Sequence, residues 1–469
     1  MIKDKIHNVT NLAYLAIAHI LILLGYAVNK ALFHNQTQLW LLFLGWVFLL
    51  ILFWQKKSVV FNFSLSAEKI LILTGLVSFG LFYIFDGGID LWSKQAYINI
   101  VKLKFLALGL FMLYLVEFNF SHHGTLSVLL KHLQKNKFWY LVIVALIINL
   151  TTIFYSPIPK IDVYWVFDGG AQSVIEGQNP YAATFYNPYS PQACDKLYGT
   201  SDCENKFYSY LTTALVATTA SKWLFGDIRF AFIASIFGMG LIIFLLLKER
   251  FKENRQPMEL LILLLLYLPL GNYVLEQSWV ESLAGLVFYL FVYLALSGYR
   301  YWPYLIFGLF LATKQTMWIF IPFVLKFQGL NYKKVLLSLV TFLVLTLPFL
   351  FWGAADYWED IFLNQWHYRD ALHSLSFNTL NKLFFYDLIH YNFWYLGFLS
   401  GLFIWLWWKT KRDWQSIIQA VVVLMMALFI VKRGFANYYY GISLFIILLM
   451  TLELRKINSN FDDHQRSIG

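Results

Sequence analysis

FWYLVIVALIINLTTIFYSPIPKIDVYWVFDGGAQSVIEGQNPY, residues 138–181, decides the class of this chain. Residues 138–155 form an apolar run close to the ~20 residues that a helix needs to cross the hydrocarbon layer. From Lys160 to Tyr181 the composition changes abruptly. Two acids, Asp162 and Asp168, stand beside Tyr164, Trp165 and a Gly-Gln-Asn-Pro-Tyr turn at Gly177 to Tyr181. An apolar span ending on a polar, aromatic island reads as a membrane helix emerging into a structured loop. The chain before the island reads as an anchor, and the chain after it reads as further spans whose few charges can point back at it.

The rest of the chain agrees. Of its 469 residues 59% are hydrophobic and only 13% are charged, against about 25% charged in soluble domains. Aromatics make up 20%, as expected where Tyr and Trp line many span ends at headgroup level. A net charge of +10 would point to nucleic acid in a soluble protein. Here many basic residues fall in short connections between apolar runs, so the positive-inside rule accounts for them and no nucleic-acid partner is expected. The first apolar run, residues 11–32, is too long for a signal-peptide core and reads as a true span. Cys194 and Cys203 both fall in the large loop after residue 155, and an extracytoplasmic loop would make a disulfide between them the expected state.

Further apolar runs at 37–54, 68–85 and 103–119 complete an N-terminal set before the span at 138–155. Lys3, Lys5, Lys56, Lys57, Lys69, Lys131, Lys135 and Lys137 place the N-terminus and the second and fourth connections in the cytoplasm, outvoting Lys94 and Lys102. The loop after residue 155 is then outside. Residues 208–224 read as an interfacial helix, because a crossing there would put Lys248, Arg250, Lys252 and Arg255 on the wrong side. Spans come next at 228–247, 258–273 and 281–298. Lys314 and Gln315 interrupt the segment 302–328, which predicts two short helices meeting at a charged break. Spans at 335–352, 392–409, 415–431 and 436–453 finish the chain.

The expected fold is therefore all-α and polytopic, with about fourteen transmembrane helices, an interfacial helix and both termini cytoplasmic. It divides into an N-terminal four-helix segment (1–137), a core (138–454) with outside loops at 156–227 and 353–391, and a cytoplasmic tail (455–469). Phe85 to Gly88 and Phe167 to Gly170 both read Phe-Asp-Gly-Gly after an outward span, a faint internal echo.

On this topology the outward polar residues are few. They comprise Asp162 and Asp168, Asp227 and Arg229, Glu276, Gln277 and Glu281, Lys314 and Gln315, Arg369 and Asp370, and Lys432 and Arg433. The last pair stands at an outer span end against the positive-inside pattern, which calls for a structural partner or an anionic ligand. Lys314, Arg369, Lys432 and Arg433 are suited to holding a lipid phosphate. Asp162 is suited to act as general base on an acceptor hydroxyl, with Asp168 in reserve. Trp165, Gln178, Asn179 and Tyr181 are of the aromatic and amide types that bind sugars. The bland alternatives are a solvated acid at Asp162, turn chemistry at Asp168-Gly169-Gly170 and span-end pairing at Glu276 and Glu281. His367 and His373 lack metal-ligand spacing, so no metal and no cofactor are expected.

Asp162-Val163-Tyr164-Trp165, Gly170-Ala171 and Glu176 to Tyr181 together resemble the first-loop signature of polyprenol-phosphate-sugar-dependent glycosyltransferases of the GT-C fold, the mannosyltransferase-like multispan members above all. The resemblance continues more loosely through Gly226 to Arg229, Leu275 to Ser278, Lys314-Gln315, Arg369-Asp370 and Lys432 to Tyr438. It implies a membrane transferase that passes a hexose, mannose in closest likeness, from a polyprenyl-phosphate donor to an extracytoplasmic glycan or glycolipid acceptor, with Asp162 catalytic. Two departures stand out. Tyr208-Ser209-Tyr210 replaces the Tyr-Pro-Pro that often opens the family's interfacial helix, and the first four spans have no counterpart in its core. The rival reading is a transporter or flippase of a lipid-linked sugar, in which the same charges line a path.

Overall fold

The computed structural model describes residues 2–27, 36–54, 65–85, 94–116, 125–198, 207–363, 374–384 and 391–466. Among them the architecture is all-helical. The long N-terminal helices are α1 (Ile2–Ala27), α2 (Gln36–Trp54), α3 (Ala67–Ile84), α4 (Lys94–Leu115) and α5 (Thr125–Tyr155). Then come α6 (Asp162–Ile175), α7 (Pro191–Tyr198), α8 (Thr212–Phe225), α9 (Phe230–Leu247), α10 (Gln256–Leu266), α11 (Gly271–Glu276), α12 (Glu281–Leu296) and α13 (Trp302–Leu311). The remainder is α14 (Phe320–Val324), α15 (Tyr332–Trp352), α16 (Ala354–Trp358), α17 (Phe377–Phe384), α18 (Tyr391–Lys409), α19 (Trp414–Val431) and α20 (Ala436–Arg466).

Eight of the described helices are long and apolar enough to cross a membrane: α1 to α5, α9, α15 and α19. The protein is thus a polytopic membrane protein. Helices α10, α12 and α13 are apolar but shorter, α10 and α13 because two of the expected spans are broken. Residues 258–273 do not form one helix: α10 stops at Leu266 and α11 starts at Gly271, with Leu270 at φ 59° between them. The segment 302–328 breaks where the charge predicts. Helix α13 ends at Leu311, Lys314 is extended at φ −156° and ψ 141°, and a 3₁₀ turn runs from Gln315 to Ile319 into α14.

One hydrophobic core runs from Leu12 on α1 to Ile457 on α20. It is continuous across the division near residue 137, since Trp46 Nε1 on α2 donates to the Val423 carbonyl on α19 at 3.0 Å and Ser78 Oγ on α3 donates to the Tyr267 carbonyl at 3.2 Å. Indole and hydroxyl donors that would be costly in hydrocarbon are thereby satisfied. A second cluster, including Phe167, Tyr181, Tyr208, Leu215 and Tyr357, gathers α6, α8 and α16 at one end of the bundle.

That cluster corrects the reading of Lys160 to Tyr181 as a loop. Most of it is α6, and Gly169 and Gly170 lie inside the helix instead of making a turn. Their purpose is close approach. A Cβ at 169 would sit 2.6 Å from Phe185 Cδ1, and one at 170 would sit 2.3 Å from Tyr208 Cε2. The helix ends in a Schellman cap: Gln178 N donates to the Ser173 carbonyl and Gly177 N to the Val174 carbonyl, with Gly177 at φ 72°. Helix α8 occupies nearly the extent expected of the interfacial helix and packs on α6. The echo at Asp86 to Gly88 lies outside the described residues.

Candidate functional site

The polar residues at this end of the bundle fall into an upper and a deeper group. The upper group is knotted by Arg229, which is fully buried at the junction of α8 and α9. Its guanidinium forms a bidentate pair with Asp227, with Nη2 to Oδ2 at 2.6 Å and Nε to Oδ1 at 3.0 Å. Nη1 donates to the Ser156 carbonyl at 2.7 Å, and the group lies 5.1 Å from the centre of the Tyr164 ring. Ser156 Oγ in turn donates to Glu276 Oε1 at 2.6 Å, and Gln277 Nε2 donates to Glu276 Oε2 at 3.1 Å. Five N–H donors in a fixed fork let one residue close the ends of α5, α6 and α9, and Ser156 extends the tie to α11.

Asp162 opens α6, where an acid is favoured by the helix dipole. Its Oδ1 accepts from Val163 N at 2.9 Å and from the Tyr189 hydroxyl at 3.4 Å. Burial and the neighbouring Asp162 charge push the Tyr189 phenol far above its ordinary range, so Tyr189 stays a neutral donor facing the acid. Asp168 lies six residues on, about 120° around the helix, and points elsewhere. It pairs with Lys222 of α8 at 2.8 Å. The two acids are therefore separated, and Asp168 is a docking contact between α6 and α8.

The aromatic and amide residues expected to bind sugar serve largely as framework. Trp165 Nε1 donates to the Pro159 carbonyl, Asn179 Oδ1 accepts from Tyr181 N, and the buried Tyr181 donates its hydroxyl to the Tyr210 carbonyl. Gln178 is exposed beyond the cap.

The deeper group centres on Glu281, the first residue of α12. Its Oε1 accepts from Lys314 Nζ at 2.7 Å and from Asn437 Nδ2 at 2.9 Å, while its Oε2 is buried without a partner. Lys314 Nζ also lies 4.5 Å from the centre of the Tyr438 ring. An unaccompanied lysine at membrane depth would be prohibitive, and here a carboxylate and a ring face offset it. Gly441 leaves room for the acid, since a Cβ there would meet Glu281 Cγ at 3.0 Å. A cavity of about 10 Å³ beside Glu281, lined also by Thr316, Met317 and Tyr438, has room for roughly one water.

The segment bringing both groups together is strained. Leu270 at φ 59° and Ser278 at φ 58° bracket α11, so Glu276, Gln277 and Glu281 are presented from a backbone that turns twice through the left-handed region. Such conformations in residues other than glycine cost about 1–3 kcal/mol and concentrate at functional sites.

Gln315 proves to be a tie. Its Nε2 donates to the carbonyls of Ser209 and Ile361. Lys432 Nζ lies 4.9 Å from the centre of the Tyr395 ring, and the Arg433 guanidinium 5.0 Å from that of Phe435. Arg369, Asp370, His367, His373 and Cys203 lie outside the described residues. Cys194 is buried and disulfide-bonded.

Two residues that sequence reasoning passed over belong here. Tyr189 is one. Asp360, in the π-helical turn Glu359–Leu363, is the other: it is buried and accepts from Tyr208 N at 2.7 Å. Burial, and the nearby charges of Glu359 and Asp356, push its carboxyl up to about 7. Among the described residues no group of three or more His, Cys, Asp or Glu side chains could hold a metal ion. No family model, no curated protein and no solved structure matches this chain.

Proposed function

We propose that the protein is an integral membrane glycosyltransferase of the GT-C type. It would move a hexose, most simply mannose, from a polyprenyl-phosphate donor to an acceptor hydroxyl on the extracytoplasmic side. One observation carries the reading: Asp162, Glu276, Glu281 and Lys314 gather at one end of the bundle, while the basic connections around Arg255, Arg300, Lys334 and Arg412 lie at the other. The positive-inside rule turns that asymmetry into an orientation, with the acidic site outside and both termini in the cytoplasm. The fuller count of about fourteen crossings belongs to the same reading.

In the reaction, the Asp162 carboxylate takes the proton of the acceptor hydroxyl as its oxygen bonds to the sugar C1. The bond from C1 to the phosphate oxygen breaks, and the electron pair leaves with the polyprenyl phosphate. Lys314, with Arg433 beside it, balances the charge that develops there. Since Lys314 is paired with Glu281 in a site with room for about one water, donor binding exchanges Glu281 for phosphate. A folded Asp162→Asn variant, reconstituted with radiolabelled polyprenyl-phosphate sugars, should lose transfer by roughly 10²–10⁴-fold. Undiminished transfer by that variant would remove Asp162 as base.

The buried ion pair at a helix break is also what a transporter uses to couple a cargo to its path. The same vesicles separate the two readings, because a flippase moves labelled lipid across the bilayer without consuming it.

A further inference from the structure

At the opposite end of α12 and α13, some 24 Å from Glu281 by the 16 residues of α12, a cleft of about 400 Å³ opens between the two helices and α15. It is lined by Arg300, Lys334, Tyr299, Tyr304, Phe327 and Trp414 among others, and no acid is among the lining residues. The walls are preformed. Phe327 stacks on Trp414 at 4.1 Å, and Gly298 takes φ 81° to turn the chain between the helices. Lys334 is held 4.9 Å from the centre of the Tyr304 ring and donates to the Gly329 carbonyl. Helix α15 is locked to α13 at Gly308, where a Cβ would lie 2.4 Å from the Ser338 carbonyl oxygen, and Ser338 Oγ donates to the Tyr304 carbonyl at 2.8 Å.

The neighbouring charge is predominantly basic. Lys333 adjoins Lys334 in sequence, and Arg412 reaches this end through its carbonyl, which accepts from Gln328 N. The nearby acid Asp413 is occupied in capping α19 through Ser416 N and Oγ. Immediately beyond Lys334, α15 presents Val335, Leu336, Leu339 and Val340 outward, and only 11% of this span is buried inside the protein. A phosphate in the cleft thus lies next to a surface made for acyl chains.

We propose that this cleft is a binding site for the phosphate headgroup of an anionic phospholipid from the surrounding bilayer. Arg300 and Lys334 would hold the phosphate, aromatic walls would cover the glycerol region and α15 would carry the chains. Such a site requires only that the protein spans a membrane and is independent of the transferase reading. A monoanionic headgroup between two cations is favoured over a zwitterion by roughly tenfold or more, at about 1 kcal/mol per cation near the surface.

Native mass spectrometry of the full chain, released from nanodiscs holding equal phosphatidylglycerol and phosphatidylcholine of matched chains, tests this. The wild type should retain phosphatidylglycerol by roughly tenfold. The R300A/K334A variant should fall to near parity, K333A should keep the preference, and R300K/K334R should largely restore it. Equal retention of both lipids by the wild type would overturn the proposal. So would a preference untouched by R300A/K334A, or one lost equally in K333A, which would mark diffuse surface charge. Retention of added inorganic phosphate without any lipid preference would identify a soluble anion instead, and would overturn it too.

Discussion

Asp360 is the residue with the most direct pH consequence. Burial pushes its folded carboxyl up to about 7 from an ordinary 3.8. The folded state therefore holds a proton that the unfolded chain has released anywhere between those values. Its contribution to stability is fully present below about pH 4 and is lost as pH rises through about 7. Thermal unfolding followed between pH 4 and 8 should show stability falling with pH across that window, and Asp360→Asn should flatten the slope. Gly170 offers a sharper steric test. Gly170→Ala places a methyl 2.3 Å from Tyr208, an overpacking that costs about 1–3 kcal/mol and should lower the unfolding midpoint. Neither residue was legible beforehand. Asp360 sits among Asp356 and Glu359 and looks solvated, and the Tyr208 N–H that it accepts from lies 152 residues away in sequence. Gly169 and Gly170 after an acid look like a turn, because nothing local announces that Phe185 and Tyr208 press against them.

Among the elements, the break at Lys314 was the most legible, because a charged side chain amid apolar residues has few low-energy arrangements at membrane depth. What the sequence could not supply was the partner. Glu281 lies 33 residues before Lys314 and Asn437 lies 156 after Glu281, so only the folded bundle brings them together. Removing one member of the pair leaves a buried charge uncompensated. Glu281→Leu alone should cost about 3–5 kcal/mol of stability, whereas Glu281→Leu combined with Lys314→Met should recover most of it. A thermal-shift series in one detergent reads both. The strained α11 segment makes the opposite forecast. Ser278→Gly relieves a left-handed backbone position and should raise stability by up to about 1 kcal/mol, while blurring the placement of Glu276 and Glu281. A stabilised variant with slowed transfer is the expected pairing of outcomes.

At the scale of the whole molecule, hydropathy displayed the membrane class and most helix positions, because apolar length is a local property. It did not display how the first four helices relate to the rest. They share the main core, with Trp46 reaching α19 and Ser78 reaching the turn after α10. Trp46→Phe keeps an aromatic ring and deletes the N–H to the Val423 carbonyl, so it should cost about 1 kcal/mol and lower the midpoint of denaturant unfolding.

Asn11 near the start of α1 donates to Glu453 Oε1 far along α20 at 3.3 Å. Two atoms in contact share one depth and one leaflet. Between Asn11 and Glu453 the chain must therefore traverse the bilayer an even number of times, whichever short helices count as crossings. Reporter enzymes fused ahead of α1 and behind α20 should accordingly score in the same compartment, a parity that no recount of individual spans can alter.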